Sequence, residues 1–528
     1  MAIIDSIVIV GGGTAGWATM CLALDRIHPR TEIKLTLIEP KDLPIIGVGE
    51  STTGLFPKLI KTCYHLGDEH EFLRETGSTY KYGIRHSDWR VVGEHFDNPN
   101  GFHTNNWVNY PQPEYDYLRI HHVAQNNMPH TSFLSNRAMA ENKIYYAQNI
   151  TPDNPYPNLL GSSAGDKFLD LNDHGYHLAT WETVDYLRKK CLATGRINIV
   201  NDKVIGVIRD ENDMVTKLKL EHGEVEGDFF IDCTGFKRTL ITHNNKFVSY
   251  KNNLLLDSAV AFPQVYQRGE KIRNYTHAKA MKNGWMWESP TQERMGRGYN
   301  YSSELNTEDE ILQELEEHFG YEVPVLARIK YDSGRMEKTW YKNVLATGLA
   351  SAFLEPLEAA SLHGTLREIE YFFENSFNGA LDMRGDAVQN DFNEVIADFW
   401  DDVRDFMLWH YQNSRQDSEF WRQSSHKDRL SDKLRKNMEM WKYKMPRGDD
   451  YHNGKRESLM TLGNILWYQT AIGMKILDPE VARKELEYFG LNPIIEQDMK
   501  HFTDMSNYIL PLMMNTDEYY KTVLNYPG

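Results

Sequence analysis

Cysteine is scarce in this sequence: of its 528 residues, the cysteines are Cys21, Cys63, Cys191 and Cys233. These positions are far apart, and they form neither a CxxC pair nor a Cys/His spacing typical of a metal site. The sequence therefore predicts no metal site, and we expect the cysteines to be small buried residues.

Positive charge is also limited, because 58 Lys and Arg residues face 75 Asp and Glu residues, which gives a net charge of −17. Nucleic-acid binding needs basic surface that displaces counterions, so this balance argues against a nucleic-acid partner. No stretch approaches the ~20 uncharged apolar residues of a membrane span. The chain starts with a strand pattern rather than a secretory signal, so we expect a globular cytoplasmic protein.

What the sequence does contain is a glycine loop near its start, in IVIVGGGTAGWATMCLALDRI. The β-branched run at residues 7–10 predicts a buried parallel strand, and the spacing of residues 17–27 predicts a helix. Between them, Gly11, Gly13 and Gly16 form G-x-G-x-x-G. This pattern allows a tight turn, close approach to a pyrophosphate, and close helix–strand packing.

The surroundings of the loop predict a bound dinucleotide. Thr14 and Ala15 lie in the loop before the predicted helix, whose free N-terminal N–H groups suit phosphates. A second strand ends at Glu39, close to the spacing of about 20 residues expected for a carboxylate on the ribose. Two later strand–glycine-turn segments, residues 227–236 and 343–353, would converge on the same ligand, and this favours the larger FAD over NAD.

Further stretches, in the same order along the chain, resemble the flavin-dependent tryptophan halogenase family. They are GGGTAGW (11–17), PIIGVGEST (44–52), YKYGIRHSDWR (80–90), FFIDCTGF (229–236), GWMWESP (284–290) and LASAFLEPLEAAS (349–361). The resemblance covers roughly residues 1–425. It implies an α/β fold with a Rossmann-like FAD-binding core of the two-dinucleotide-binding type and an added sheet. Residues 1–375 would form this core with interleaved substrate-side segments, and 376–528 a mainly helical substrate region.

The same resemblance implies FAD, used as FADH2, as the cofactor. PIIGVGEST resembles the strap that runs over the flavin in the family. The predicted cofactor-binding residues are Gly11, Gly13, Thr14, Ala15, Gly16, Glu39, Val48, Gly49, Glu50, Ser51, Gly348 and Leu349.

In the family, reduced FAD, oxygen and a halide give hypohalous acid, and a lysine presents the halogen to an electron-rich ring. Lys81 matches this lysine, and Glu358 matches the catalytic glutamate. A carboxylate in an apolar run is costly to bury unless it is paired, and we expect Lys81 to be its partner. Glu358 would support the ring cation and accept its proton. Glu355 is expected to be structural.

The halide site departs from the family pattern P-L-E-S-T-G, because the chain reads PLEAAS. We expect the backbone N–H groups of Ala360 and Ser361 to hold the halide. The missing threonine hydroxyl favours a larger, softer halide, bromide or iodide, although chloride remains open.

Two tryptophans, Trp285 and Trp287, alternate as on a strand, so both indoles would face one side. They are either core aromatics or, as the resemblance implies, a wall that separates the organic substrate from the flavin. Ser289 replaces the isoleucine of the family signature W-x-W-x-I-P. Phe102 and His103 are candidates for the substrate pocket.

These features predict an FADH2-dependent halogenase that acts on a small indole, phenol or other electron-rich ring. No second glycine loop indicates an NAD(P)H site, so a separate flavin reductase is the expected partner. The sequence leaves open whether the chain forms a homo-oligomer. The alternatives are an FAD monooxygenase that hydroxylates its substrate and a non-catalytic flavin-binding module.

Overall fold

The computed structural model of the protein describes residues 4–41, 49–100, 112–125, 134–147, 174–267, 269–377, 386–447, 450 and 464–525. Three predicted site residues, Val48, Phe102 and His103, lie outside the described residues, and their assignments stay predictions.

Among the described residues, every strand except the last lies before Leu354. The strands are β1 (Ser6–Val10), β2 (Lys34–Ile38), β3 (Glu50–Ser51), β4 (Thr79–Lys81), β5 (Gly83–Ser87), β6 (His95–Pro99), β7 (Lys143–Ala147), β8 (Gly175–Leu178), β9 (Ile197–Val200), β10 (Val204–Arg209), β11 (Val215–Leu220), β12 (Gly223–Glu226), β13 (Phe229–Asp232), β14 (Phe247–Ser249), β15 (Ser258–Ala261), β16 (Gln264–Val265), β17 (Thr276–Ala280), β18 (Gly284–Pro290), β19 (Arg294–Tyr301), β20 (Ala327–Lys330), β21 (Gly334–Met336), β22 (Trp340–Tyr341), β23 (Val344–Ala346), β24 (Ala352–Phe353) and β25 (Met513–Asn515).

Helices are interspersed with these strands and then dominate the rest of the described chain. They are α1 (Thr14–Arg26), α2 (Leu55–Thr62), α3 (Glu69–Thr76), α4 (Gln112–Gln125), α5 (Leu134–Glu141), α6 (Thr180–Ala193), α7 (Glu308–Phe319), α8 (Ala360–Tyr371), α9 (Ala387–Tyr411), α10 (Glu419–Ser424), α11 (Asp432–Met440), α12 (Asn464–Met474), α13 (Pro479–Phe489), α14 (Asn492–Ile509) and α15 (Thr516–Thr522).

A six-stranded sheet in the order β22-β23-β13-β1-β2-β9 forms the Rossmann-like core. All neighbours pair in parallel except β22 and β23. The continuous apolar run of β1 suits this central place because both faces of the sheet are covered. Ile7 and Ile9 are buried in the core on one face, and Val8 and Val10 are buried in the core on the other.

The carboxyl ends of the parallel strands lie side by side at the same edge of the sheet. Val10 is in register with Ile38 and with Asp232, which is itself in register with Ala346. The loops that follow these four strands therefore meet at one edge, where open α/β sheets bind their ligands. The structure confirms that the separated strand–turn segments converge.

The glycine loop is packed so tightly that side chains are excluded. Gly11 has φ of +119°, and a Cβ there would lie 2.3 Å from the carbonyl oxygen of Cys233. A Cβ on Gly16 would lie 1.8 Å from the carbonyl oxygen of Gly11. Glycine alone fits both positions, and this explains their spacing in the sequence.

A second, larger sheet has the order β20-β15-β19-β18-β17-β5-β6, with β16 also paired to β19. Strand β18, which carries the GWMWESP motif, lies inside this sheet and is buried along its whole length. A small sheet of β3, β8 and β4 connects the strap region to Lys81, the last residue of β4. The two sheets and the helices agree with the predicted α/β class.

The C-terminal part is mainly helical, as expected, and the charged segment 424–447 is divided into more than one helical element. It contains a short 3₁₀ turn, Lys427–Arg429, and then α11. Ser431 accepts a hydrogen bond from the N–H of Leu434 and so caps a new helix. Among the described residues, no helix combines the length and apolar character needed to cross a membrane. The boundary at 375/376 stays a prediction.

Candidate active site

The carboxyl edge of the six-stranded sheet offers an open cradle at the start of α1. Gly13 is the N-cap, no side chain of the described residues caps it, and a Cβ on Gly13 would meet nothing within 4 Å. The first N–H groups of the helix thus face open space at its positive end, which suits a pyrophosphate. Gly348 closes the cradle, since a Cβ there would lie 2.7 Å from Cβ of Ala15.

Glu39 lies against this loop, where a Cβ on Gly12 would come within 1.8 Å of its Oε2. Trp17 Nε1 donates a hydrogen bond of 3.2 Å to Oε2, and Arg188 Nη2 lies 3.2 Å from Oε1. Burial raises the pKa of Glu39, and the Arg188 charge opposes that rise. Glu39 therefore occupies the predicted position beside the loop while it also ties α1 to α6.

The strap at Gly49–Thr52 links three parts of the site. A Cβ on Gly49 would lie 2.9 Å from Cα of Gly296, so the strap runs directly over β19. Thr14 Oγ1 donates to Glu50 Oε2 at 3.4 Å, which joins the strap to the glycine loop. The carbonyl oxygen of Thr52 contacts Lys81. One short segment thus touches the predicted flavin cradle, the second sheet and the predicted catalytic lysine.

Lys81 is fully buried, with 0% of its surface exposed. Its Nζ donates a hydrogen bond of 2.9 Å to the Thr52 carbonyl oxygen. Burial lowers the pKa of Lys81 to about 7, although the negative charge of Glu358 opposes this change. The side chain therefore exchanges between ammonium and neutral amine near neutral pH.

Glu358 is buried and lies at the centre of a polar cluster. Its Oε1 accepts a hydrogen bond of 2.7 Å from Asn98 Nδ2, and both His410 Nε2 and His86 Nε2 lie 3.1 Å away. Burial raises the pKa of Glu358, but hydrogen bonding and charge from the two histidines outweigh this and hold the pKa well below its usual range. Lys81 acts on Glu358 through charge, whereas the contacts to Oε1 come from these three side chains.

The chain turns sharply between Glu358 and α8. Glu358 has φ of +60° and Ala359 has φ of +57°, so two consecutive residues that are not glycine are left-handed. Helix α8 starts at Ala360 without a side-chain cap, and within the described residues Ser361 Oγ has no hydrogen-bond partner. The first N–H groups of α8 and this hydroxyl suit an anion.

The paired tryptophans lie on β18 with ring centroids 6.5 Å apart, and both are buried. Trp287 covers Gly298 of β19, where a Cβ would lie 2.0 Å from the indole. Ser289, the departure from the family signature, is also buried in β18. Glycine at position 298 thus gives room for the indole of Trp287, and the role of the two tryptophans as a wall stays a prediction.

Comparison with known proteins decides the family. A family model described as tryptophan halogenase matches residues 6–486. The chain belongs to the tryptophan halogenase family. Tryptophan 7-halogenase RebH of Lentzea aerocolonigenes is 30% identical over 504 residues, which cover 90% of each chain. Tryptophan 6-halogenase ThaL of Streptomyces albogriseolus is 29% identical and covers 84% of this chain and 83% of its own.

A solved structure agrees with this assignment. BrvH, a flavin-dependent halogenase from Brevundimonas sp. BAL3, is 26% identical, with a TM-score of 0.78 and 99% of each chain covered. The protein is therefore a flavin-dependent halogenase, an enzyme that uses FADH2 and a halide. The hydroxylase alternative is not favoured.

Sequence reasoning missed the side chains that surround Glu358 in this halogenase: His86, Asn98, His410 and Thr470. They come from β5, β6, α9 and α12, so no local motif unites them. Asn98 Nδ2 also donates to Thr470 Oγ1 at 3.0 Å, and His410 Nε2 lies 3.3 Å from the same hydroxyl. The available signal was a histidine in the apolar stretch FMLWHY of α9.

The halogenase buries a second acid three residues before Glu358. Glu355 is fully buried, and Tyr411 donates a hydrogen bond of 2.7 Å to its Oε1. Burial raises the pKa of Glu355 to about 8, with the Tyr411 hydrogen bond opposing this rise. Glu355 is therefore mostly protonated at neutral pH, in contrast to the ionised Glu358.

Proposed function

We propose that this halogenase transfers a halogen to an electron-rich aromatic small molecule, such as an indole or a phenol, through Lys81. The observation that carries the proposal is a fully buried lysine within the electrostatic reach of a buried, ionised glutamate. The start of α8, which suits an anion, directly follows that glutamate. The relatives named as tryptophan halogenases support an aromatic substrate.

Bound FADH2 supplies the chemistry that converts oxygen and halide into hypohalous acid. The protein's part is to hold the cofactor, exclude water and direct the oxidant. The start of α1 would bind the pyrophosphate of FAD, and Glu39 would bind the ribose. The strap and residues 348–349 would contact the remaining parts of the cofactor. The open cradle at Gly13 fits this assignment.

Lys81 suits the capture of an electrophilic halogen because its pKa is about 7. A neutral amine has a lone pair that can bind a halogen, whereas an ammonium group has none. The hydrogen bond to the Thr52 carbonyl oxygen orients the nitrogen. Because this partner belongs to the strap, the position of the amine is tied to the segment expected over the flavin.

Glu358 suits the stabilisation of the ring cation that forms when the halogen is added. Preorganised charge in a site that excludes water is a large contribution to many enzymatic rates. A carboxylate with a low pKa is a weak base, but a halogenated ring cation is a strong acid, so the proton can still pass to Glu358. Asn98 and the two histidines fix its orientation.

His410 is proposed as a positioning residue for Glu358. His410 Nδ1 lies 2.8 Å from the carbonyl oxygen of Phe406, which can only accept, so Nδ1 carries a proton. Its Nε2 faces Glu358 Oε1 at 3.1 Å. The ring is thus held between the Phe406 carbonyl oxygen and the carboxylate, and this holds Glu358 in place.

His410→Gln is expected to lower kcat about 10- to 100-fold, because hydrogen bonds to charged groups are worth about 1.5–3 kcal/mol. KM for the aromatic substrate should change little, and the pH dependence of kcat should shift because the His410 hydrogen bond lowers the pKa of Glu358 and its loss lets that pKa rise. Steady-state kinetics across pH measures both quantities. His222→Gln, at an exposed histidine, is the control. An unchanged kcat and an unchanged pH profile would refute the positioning role of His410.

The substrate region is proposed to include the C-terminal helices. Helix α12 places Thr470 in the cluster around Glu358, and Gly473 lies against Phe96 of β6, where a Cβ would be 2.2 Å from the ring. The part of the chain after residue 376 therefore reaches the predicted catalytic acid. This supports the proposal that these helices shape the pocket for the aromatic ring.

The proposed function is tested with a panel of indoles and phenols, each incubated with chloride, bromide or iodide and an unrelated flavin reductase that supplies FADH2. We expect halogenated product that depends on both halide and reductase, with bromide or iodide turned over faster than chloride. Mass spectrometry identifies the product. Oxygen added to the ring at the same rate without halide would contradict the proposal and indicate a hydroxylase. A free-standing reductase is the proposed partner.

A further inference from the structure

A second cluster of ligand-type side chains lies behind the predicted flavin cradle. Cys21 of α1, His65 after α2 and Cys191 of α6 each present one ligand atom, and these atoms lie within 4.8 Å of one another. Cys21 Sγ and Cys191 Sγ are 3.4 Å apart, and Cys191 Sγ is 3.8 Å from His65 Nε2. No sequence motif indicates this arrangement, because the three residues come from separate elements.

Burial separates this cluster from ordinary surface residues. Cys21 and Cys191 are fully buried, and within the described residues His65 Nδ1 has no hydrogen-bond partner. A third thiol, Cys63, is buried beside them, with its Sγ 3.8 Å from the carbonyl oxygen of Cys21. Cysteines were predicted to be small buried residues, and these three are, but the thiols of Cys21 and Cys191 also meet His65.

The distances suit a metal better than a disulfide. A disulfide needs an S–S distance of about 2.05 Å, and the pair here is wider. Tetrahedral zinc, with Zn–S of about 2.3 Å and Zn–N of about 2.0–2.1 Å, sets neighbouring ligand atoms roughly 3.5–3.8 Å apart. The observed 3.4 Å between the two sulfurs and 3.8 Å between sulfur and nitrogen are close to this spacing. Two thiolates would also neutralise a divalent cation, so the buried complex would carry no net charge.

We propose that Cys21, His65 and Cys191 bind a thiophilic divalent cation of the zinc type. Such an ion would join α1, α6 and the segment after α2, and would thereby stabilise the position of α1. This role is independent of the halogen chemistry, since none of the three residues belongs to the proposed catalytic site.

The proposal is tested on the full-length protein, loaded with Zn²⁺ under reducing conditions and then dialysed. Mass spectrometry of the elements is expected to find about one zinc ion per chain, the stoichiometry of a single structural site. Cys21→Ser/Cys191→Ser should lose this zinc. Cys63→Ser and Cys233→Ser, which change thiols outside the ligand group, should keep it.

Cobalt gives a readout that does not depend on the variants folding. Co²⁺-loaded wild-type protein should show sulfur-to-cobalt charge-transfer absorption in the near ultraviolet. Absence of that absorption, together with no retained zinc in the wild type, would overturn the proposal. A Cys21–Cys191 disulfide found by peptide mapping of the protein under non-reducing conditions would overturn it as well.

Discussion

Lys81→Arg is expected to abolish halogenation while FAD binding persists. The arginine side chain keeps its positive charge at all relevant pH values, so it cannot supply the neutral nitrogen that captures the halogen. Loss of such a group costs on the order of 1,000-fold or more in rate. Product formation with saturating FADH2 and halide measures the rate, and flavin fluorescence titration measures binding.

The matching control is Lys189→Arg, at an exposed lysine paired with Glu75 on the surface. Its activity should equal that of the wild type. Hypohalous acid should still form in Lys81→Arg and appear in solution, where an external scavenger detects it. Halogenation at the wild-type rate in Lys81→Arg would refute the assignment of the lysine.

The pH dependence of the wild-type enzyme follows from the same amine. Burial lowers the pKa of Lys81 to about 7, against the opposing charge of Glu358. Below that pH the ammonium form dominates, so the rate should fall as pH decreases below 7 and level off above it. Single-turnover halogenation measured at several pH values would show this profile, and a rate that rises on acidification would contradict it.

Glu358→Gln is expected to lower halogenation by about 100- to 10,000-fold, the range typical for loss of an acid–base group. The amide is similar in size to the carboxylate but carries no charge to stabilise the ring cation. Loss of that charge should also lower the pKa of Lys81 further, because Glu358 raises it in the wild type. The low-pH decline in rate should therefore move to lower pH in the residual activity of Glu358→Gln.

Glu355→Gln provides an internal control only three residues away. Burial raises the pKa of Glu355 to about 8, so its carboxyl is mostly protonated and an amide replaces it with little electrostatic change. We expect activity close to that of the wild type. If the two variants lose activity equally, the halogenation rate does not depend on the charge of Glu358 in particular. That result would contradict the role proposed for its carboxylate.

The fold and much of the site follow from the sequence because their causes are local. The glycines of the loop are required because backbone segments approach them closely. The apolar run of β1 is required because the strand is buried on both faces of the sheet. The order of strand–turn segments then specifies which loops meet at the carboxyl edge. Lys81 and Glu358 were found by their motifs, and the structure places them within electrostatic reach of each other.

What the sequence does not reveal are contacts between elements far apart in the chain. Asn98 and His410 reach Glu358 because β6 and α9 both pack against α12, and no residue pattern encodes that contact. The direct partners of Glu358 therefore differ from the single lysine expected. The same limit applies to Cys21, His65 and Cys191, since their spacing in the sequence resembles no metal motif.

The two left-handed residues, Glu358 and Ala359, have a consequence for how this enzyme can change over evolutionary time. The reversal places Glu358 directly before the first N–H groups of α8. A substitution that relaxes the bend would displace both, so the proposed halide site and the proposed catalytic acid would change together. Evolutionary change in either is therefore expected to involve several neighbouring positions rather than single independent exchanges.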